Sequence, residues 1–174
     1  LARVRDKAMQ YALEAGDRAR QRFANRQAIE HYARALQLSQ HISGSTSERW
    51  HAAVSLGQVE QHIGEYEEAV ACFDAALNEW ARAPVEAQAE VHLSLGQVWD
   101  KRGEAERAER ELRQSDSLLD AADSASLSLR AQVYAELGTQ ARRRGDVDAA
   151  QGWLERGLAL VDDTEHYEVL SSVL

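Results

Sequence analysis

The chain has little of what builds disulfides, strands or membrane spans. Its 174 residues include one cysteine, Cys72, and one proline, Pro84, and only 6% are aromatic. A single cysteine cannot form an internal disulfide, which fits a reducing compartment and predicts a cytoplasmic protein. No apolar run approaches the roughly eighteen residues of a membrane span. Runs of β-branched residues long enough for strands are also missing, so the sequence favours an all-α fold.

The chain also lacks an excess of basic residues. Lys and Arg total 20 against 29 Asp and Glu, which gives a formal net charge of −9. An acidic surface repels nucleic-acid phosphates and anionic lipid head groups, and no basic cluster stands out strongly enough to override this average. We therefore expect no nucleic-acid partner and no membrane partner.

A repeated pattern of small and large residues runs along the chain. The pentapeptide Ser-Leu-Gly-Gln-Val occurs at residues 55–59 and again at 94–98. Its glycine is followed by another glycine after seven residues, an alanine after twelve and a large apolar residue after sixteen, and this spacing recurs in four copies. In the first copy Phe23 replaces the second glycine. The pattern consists of Gly16, Ala28 and Tyr32; Gly57, Gly64, Ala69 and Phe73; Gly96, Gly103, Ala108 and Leu112; and Gly138, Gly145, Ala150 and Leu154.

Each copy predicts two antiparallel helices. Apolar residues recur at helical spacing on both sides of the second glycine, and a glycine there can end the first helix in a left-handed conformation. The first glycine lets two helix axes approach closely, while the large residue fills the neighbouring groove. We expect repeats over residues 9–42, 50–83, 89–122 and 131–164, with 165–174 starting a further repeat or forming a capping helix.

Two helix starts carry local signals. Ser45 and Glu48 match the spacing of a capping box, in which each side chain bonds a backbone amide of the first turn. Pro84 fits the first turn of a helix, where its missing amide hydrogen costs nothing.

The second copy resembles the tetratricopeptide repeat, through Leu56-Gly57, Gly64-Glu-Tyr66, Ala69, Phe73 and Ala76. The other copies match with substitutions. This resemblance implies a right-handed superhelical solenoid of antiparallel helix pairs, with the first helix of each pair on the concave face and a protein or peptide as partner. The glycine origins are 41, 39 and 42 residues apart, longer than the family's repeat of about 34.

Residues 11–38 are also similar to helical arrays that follow the ATPase module of large bacterial signalling proteins. That resemblance implies a docking or sensing arm, with an ATPase or output domain outside this sequence. ATP would bind in that domain, so no cofactor is expected here.

No catalytic or metal-binding constellation is evident, so we expect no enzyme and no metal. The histidines are His31, His41, His51, His62, His92 and His166. None pairs with another at one-turn spacing, and no cysteine–histidine ligand cluster occurs. Cys72 follows an apolar pattern and lacks a flanking base, which is typical of an inert buried thiol.

A candidate partner-binding groove follows from the helical period around each glycine. It is polar and of mixed charge, and Gln58 and Gln97 could bond an extended peptide backbone. Val54, Leu93 and Ala135 stand where chaperone-tail-binding relatives carry clamp residues, which disfavours that role. The groove residues are His51, Val54, Gln58, Gln61 and His62; Glu90, Leu93, Gln97, Asp100 and Lys101; and Gln132, Ala135, Thr139, Arg142 and Arg143; with Gln10, Leu13, Asp17, Arg20 and Gln21 from the first copy.

Three functions remain open on the sequence. The first is a non-enzymatic protein-interaction module in a larger cytoplasmic regulatory protein. The second is a regulator that senses a peptide or small ligand in the groove. The third is a scaffold that self-associates through the apolar ends of its helical array.

Overall fold

The all-α prediction is confirmed by a computed structural model, which describes residues 2–42, 44–79, 83–122 and 126–161. No strand occurs in these residues, and no helix among them is both long and apolar enough to cross a membrane. The helix predicted over 165–174 lies outside them. The helices are α1 (Ala2–Gln21), α2 (Asn25–Ser39), α3 (Thr46–Ile63), α4 (Tyr66–Glu79), α5 (Val85–Lys101), α6 (Ala105–Asp120), α7 (Leu127–Arg143) and α8 (Val147–Val161).

The chain divides into two compact units, residues 1–83 and 84–174. Unit 1 contains α1 to α4 and unit 2 contains α5 to α8. In each unit consecutive helices pack as two pairs, and the second helix of the first pair contacts the first helix of the next. The first helices begin four to seven residues before the predicted repeats, because these helices are longer than a 34-residue repeat accommodates.

The turn inside every helix pair has the same backbone geometry. Gly64, Gly103 and Gly145 have φ of 89°, 79° and 80°, and Phe23 has φ of 56° at the equivalent place. The residue after each donates its amide hydrogen to a carbonyl five residues earlier, as expected of a Schellman motif. These bonds are Ala24 to Ala19, Glu65 to Glu60 and Glu104 to Trp99, each 2.9 Å, and Asp146 to Ala141, 3.0 Å.

The first glycine of each copy lies where the two helices of a pair cross. A Cβ added at Gly16 would be 2.6 Å from a ring carbon of Tyr32, and one at Gly57 would be 2.8 Å from Phe73. Both rings are fully buried. A Cβ added at Gly96 would be 2.7 Å from the side chain of Leu112, and one added at Gly138 would be 3.5 Å from that of Leu154. The alanines of the pattern, Ala28, Ala69, Ala108 and Ala150, are buried beside these crossings.

The two helix-start predictions need correction. Ser45 precedes α3, but its hydroxyl donates to the carbonyl of Ile42 at 3.2 Å, and the carboxylate of Glu48 accepts from Ser47. The capping box does not form because Ser45 has ψ of 35°, outside the extended range that capping residues favour. Pro84 stands one residue before the first residue of α5 instead of within its first turn.

Candidate functional site

The predicted groove residues lie along the first helices, and we call their side chains the first-helix face. In unit 1 this face is bonded from one helix pair to the next. His51 Nε2 lies 3.0 Å from Asp17 Oδ1, and Arg20 Nη1 donates to Gln58 Oε1 at 3.0 Å. The hydroxyl of the buried Tyr32 donates to Asp17 Oδ1 at 2.7 Å and so fixes the orientation of that carboxylate. Polar groups that bond one another in this way are held in fixed positions on the first-helix face.

The buried Tyr32 hydroxyl remains a donor at all ordinary pH. Burial, followed by the hydrogen bond to Asp17, raises the pKa of Tyr32 to about 12. The carboxylate of Asp17 therefore accepts bonds from two directions, one from the core and one from α3. Its orientation is set by the packing of the helix pair.

In unit 2 the same kind of bonding connects α5 to α7. Gln97 Nε2 donates to Glu136 Oε1 at 2.8 Å, and the guanidinium of Arg143 bonds Asp100. Sequence reasoning did not include Glu136 in the groove. The separation of 39 residues between Glu136 and Gln97, close to the interval between repeats, is the signal that could have identified it.

Some predicted groove residues are not at the surface. Leu93 is 4% exposed and belongs to a core cluster with Leu112, Val133 and Leu137. Ala135 and Leu13 are buried as well. In three of the four copies the position three residues before the first glycine is therefore buried against neighbouring helices, and these three residues cannot line an open groove.

The remaining predicted residues differ in how open they are. Val54, Gln61, Thr139 and Gln132 are half-buried. The exposed ones are Gln10, Gln21, His62, Glu90, Lys101 and Arg142, together with His51, Arg20 and Arg143 described above.

A basic surface that sequence reasoning missed lies at the turn between α1 and α2. Arg18, Arg20, Arg22 and Arg26 are all exposed, and no acidic residue occurs between Asp17 and Glu30. We call these four arginines the basic turn. The run was visible in the sequence, but the acidic average of the whole chain concealed it.

An open pocket of about 200 Å³ adjoins the basic turn. Phe23, at 78% exposure, forms part of its wall. The pocket is lined by Arg20, Phe23, Asn25, Gln58, Val59 and His62. It thus joins the end of the first-helix face to the turn between the first two helices.

Unit 1 also contains a buried acid beside the thiol. Glu60 is 8% exposed, and Cys72 Sγ donates to Glu60 Oε2 at 3.3 Å. Burial raises the pKa of Glu60, and the nearby Glu68 and Glu65 raise it further, against the opposing effect of the bond from Cys72. Burial and then Glu60 raise the pKa of Cys72 to about 12. The thiol is therefore protonated and unreactive near neutrality.

Solved structures of helical repeat proteins resemble this chain. TPR-like repeats of a kinesin light chain from Podospora anserina match with a TM-score of 0.72 and 18% identity, over 95% of this chain and 81% of theirs. The chain has the tetratricopeptide-repeat fold. No protein-family model and no curated protein matches the sequence.

Two longer proteins also share the tetratricopeptide-repeat fold with this chain. Aspartyl phosphate phosphatase F from Bacillus subtilis matches with a TM-score of 0.87 and 13% identity over 97% of this chain. BtubC from P. vanneervenii matches with a TM-score of 0.77 and 22% identity over 91% of this chain. The chain spans only 44% of the first and 65% of the second.

Outside the first-helix face, the tetratricopeptide-like unit 2 has an arginine–tryptophan cluster. The guanidinium carbons of Arg156 and Arg113 lie 4.7 and 5.7 Å from the ring centroid of Trp153. The centroid of the Trp153 ring lies 5.5 Å from that of Tyr134, with the two ring planes tilted by 33°. Because these cations already cover the indole, the cluster stabilises the contact of α6, α7 and α8. Among the described residues, no group of three or more His, Cys, Asp and Glu side chains is placed to hold a metal.

Proposed function

We propose that the chain is a non-enzymatic protein-interaction module and that its partner binds the first-helix face. The observation that carries this proposal is the bonding of polar side chains between consecutive first helices in both units, through Arg20 with Gln58 and Gln97 with Glu136. Fixed donors and acceptors lose little conformational entropy when a partner binds. The apolar residues of the repeats are buried in the helix packing. The first-helix face therefore presents mainly polar side chains to a partner.

The partner that suits this face best is an extended peptide or a loop of another protein. Amide, carboxylate and guanidinium groups at fixed positions can bond a peptide backbone and its polar side chains. The net charge of −9 disfavours nucleic acid, whose phosphates dominate its affinity for proteins.

The chemistry of the described groups supports binding over catalysis. The one thiol is kept protonated beside the acid Glu60, whereas a catalytic cysteine needs a thiolate. One neighbour is named a phosphatase, but this chain spans less than half of that protein, and its activity is not transferred. In this proposal the chain acts as the docking or sensing arm of a larger cytoplasmic regulatory protein.

Selection from a displayed peptide library tests the proposal. Peptides that bind the chain are measured by calorimetry against the wild type, Gln58→Ala and Gln97→Ala. Gln114→Ala, at an exposed position of α6, is the matched control. We expect at least one of the first-helix variants to weaken binding about tenfold, or about 1.4 kcal/mol, and Gln114→Ala to leave it unchanged. A library that yields no binder, or binders indifferent to both first-helix variants, contradicts the proposal.

A further inference from the structure

Three features meet at the turn between α1 and α2 of unit 1. They are the basic turn, the exposed ring of Phe23 and the open pocket beside that ring. Together they indicate the chemistry of a partner.

The charge of the basic turn is opposite to that of the chain. Arg18 and Arg20 are in the last turn of α1, and Arg22 is the first residue after that helix. Arg26 is in the first turn of α2, and Arg20 bonds only the neutral amide of Gln58 in the described structure. None of the four guanidinium groups forms an ion pair with a described carboxylate, although the chain has nine more acids than bases. Their charge is available to an acidic partner.

Phe23 stands where a polar or small residue would serve the fold better. Its φ of 56° is one that glycine adopts freely and other residues adopt at a cost. Most of the ring is in solvent, so it contributes little to the core. An exposed aromatic side chain in a strained backbone is more useful for contact with another molecule than for packing.

The pocket beside Phe23 has room for one large side chain. Its volume of about 200 Å³ is smaller than the roughly 300–1,000 Å³ of a pocket for a drug-sized ligand. Val59 and Phe23 provide apolar walls, and Arg20 and His62 lie at its polar side.

We propose that this turn binds an acidic peptide segment that carries one large apolar side chain. The apolar side chain enters the pocket against Phe23 and Val59. The flanking carboxylates pair with Arg20, Arg22 and Arg26. This inference rests on the proposed function, because the pocket shares Gln58 and His62 with the first-helix face, and it specifies what kind of partner arrives at that end.

A peptide fits these features better than nucleic acid does. Proteins that bind single strands stack successive bases on several aromatic side chains along a positive groove. Here the described part of the turn offers one ring, one pocket and four arginines. The acidic remainder of the chain would repel a longer polyanion.

The test is a titration of the intact chain with defined peptides. The probe is a short dye-labelled peptide of alternating Glu and Asp with a central Phe, and the comparison peptides have a central Ala or have Lys in place of the acids. Binding is followed by fluorescence anisotropy and by amide NMR shifts, up to about 1 mM peptide so that weak complexes are seen.

Matched variants separate binding from folding. Phe23→Gly removes the ring and restores the residue found in the other three turns, so its fold should be at least as stable. Phe23→Tyr retains the ring. Arg22→Glu reverses one charge of the basic turn, and Arg110→Glu reverses an exposed charge on α6 as the control.

We expect the acidic Phe peptide to bind and both comparison peptides to bind at least tenfold more weakly. Phe23→Gly and Arg22→Glu should each weaken binding about tenfold, whereas Phe23→Tyr and Arg110→Glu should not. No shift at the turn at about 1 mM peptide, or binding indifferent to Phe23→Gly, overturns the inference.

Two further outcomes would also overturn it in favour of another occupant. A single-stranded oligonucleotide that binds more tightly than the acidic peptide indicates a nucleic-acid surface. Self-association that is abolished by Phe23→Gly in sedimentation indicates a second copy of the chain. If library peptides bind through Gln97 but no amide shift is seen at the turn, the inference fails and the proposed function stands. If no peptide binds at either place, both fail.

Discussion

Phe23 is a residue whose conformation is imposed by the repeat. The turn requires a left-handed residue, and its amide donates to the carbonyl of Arg20 at 2.9 Å, as the amide of Gly64 does to Gln61 at 3.2 Å. The packing of the helix pair thus requires a left-handed backbone at this position even though the Cβ of phenylalanine disfavours it. The strain is local and can be measured.

Replacing Phe23 by glycine should stabilise the chain by about 1 kcal/mol, since a left-handed residue with a Cβ costs roughly 1–2 kcal/mol. Little burial is lost because the ring is exposed. Urea unfolding followed by circular dichroism measures the change. Phe23→Ala, which retains a Cβ, should gain much less, and a destabilised Phe23→Gly would show that the ring packs in solution.

Glu60 makes stability depend on pH. Burial raises the pKa of this carboxyl in the folded chain above its value in the unfolded chain. The folded state then holds its proton to higher pH, so stability falls as pH rises from the unfolded pKa through the folded pKa. Above that window the chain carries a buried, ionised carboxylate.

Glu60→Gln should therefore be more stable than the wild type at pH 8, by on the order of 1 kcal/mol. The difference should shrink as the pH falls below the ordinary carboxyl range, because the wild-type side chain is then neutral too. Urea titrations across this pH range measure it. Glu14→Gln and Glu30→Gln, at exposed positions, serve as controls, and an equal gain at every pH would contradict the assignment.

Gln140 is a polar residue of α7 at a buried position. It is 4% exposed, and neither amide atom has a hydrogen-bond partner among the described residues. The equivalent positions, two residues after the first glycine of the second and third copies, hold Val59 and Val98, which are buried.

Gln140→Met should stabilise the chain by about 1–2 kcal/mol, because a buried unsatisfied amide costs roughly 1–3 kcal/mol and methionine has a similar shape. Thermal and urea unfolding measure this gain. Gln114→Met at an exposed site is the control, and a loss of stability in Gln140→Met would mean that the amide is satisfied in solution.

At the scale of helices, the crossing glycines provide a paired test. A Cβ at Gly57 would lie 2.8 Å from the ring of buried Phe73, whereas one at Gly138 would lie 3.5 Å from Leu154, an ordinary contact distance. Helix propensity alone favours alanine over glycine by about 1 kcal/mol at either site.

Gly57→Ala should therefore destabilise the chain by about 1–3 kcal/mol through overpacking. Gly138→Ala should be neutral or stabilise it by up to about 1 kcal/mol. Urea unfolding of the two single variants decides between them. Equal effects of the two substitutions would mean that the crossing distances do not differ as described.

The order of the helices could be read from the sequence because glycine, alanine and large apolar residues have geometric roles in a helix crossing. Gly64 and Gly103 marked the ends of helices for the same reason. Local chemistry at the helix starts was harder to predict. The hydroxyl of Ser45 bonds the carbonyl of Ile42 and caps no amide of α3, and this outcome depends on a ψ angle that the sequence does not specify.

The face of each helix was only partly predictable. One helical projection placed Gln58, Gln97 and Leu93 together, but a first helix contacts neighbours on more than one side, and Leu93 is buried among them. The bond from Gln97 to Glu136 needed knowledge of which helices lie side by side. The basic turn required local charge to be considered apart from the average of the chain.

At the scale of the whole chain, each unit repeats the same device. Apolar and small residues form the two helix pairs, and polar residues of consecutive first helices bond each other, through His51 and Asp17 in unit 1 and Arg143 and Asp100 in unit 2. We propose the same kind of extended partner for this face in each unit. In our proposal, the exposed ring of Phe23 and the arginines of the basic turn add selectivity for acidic segments at one end of this face.

The most direct test of this account is the footprint of a bound peptide on the amide NMR spectrum of the intact chain. A peptide selected for binding is added, and shifts are assigned to helices. We predict that the largest shifts fall on α1 and α3 or on α5 and α7. Shifts confined to α2, α4, α6 and α8 would contradict it, because the partner would then bind the second helices and leave the first-helix face unoccupied.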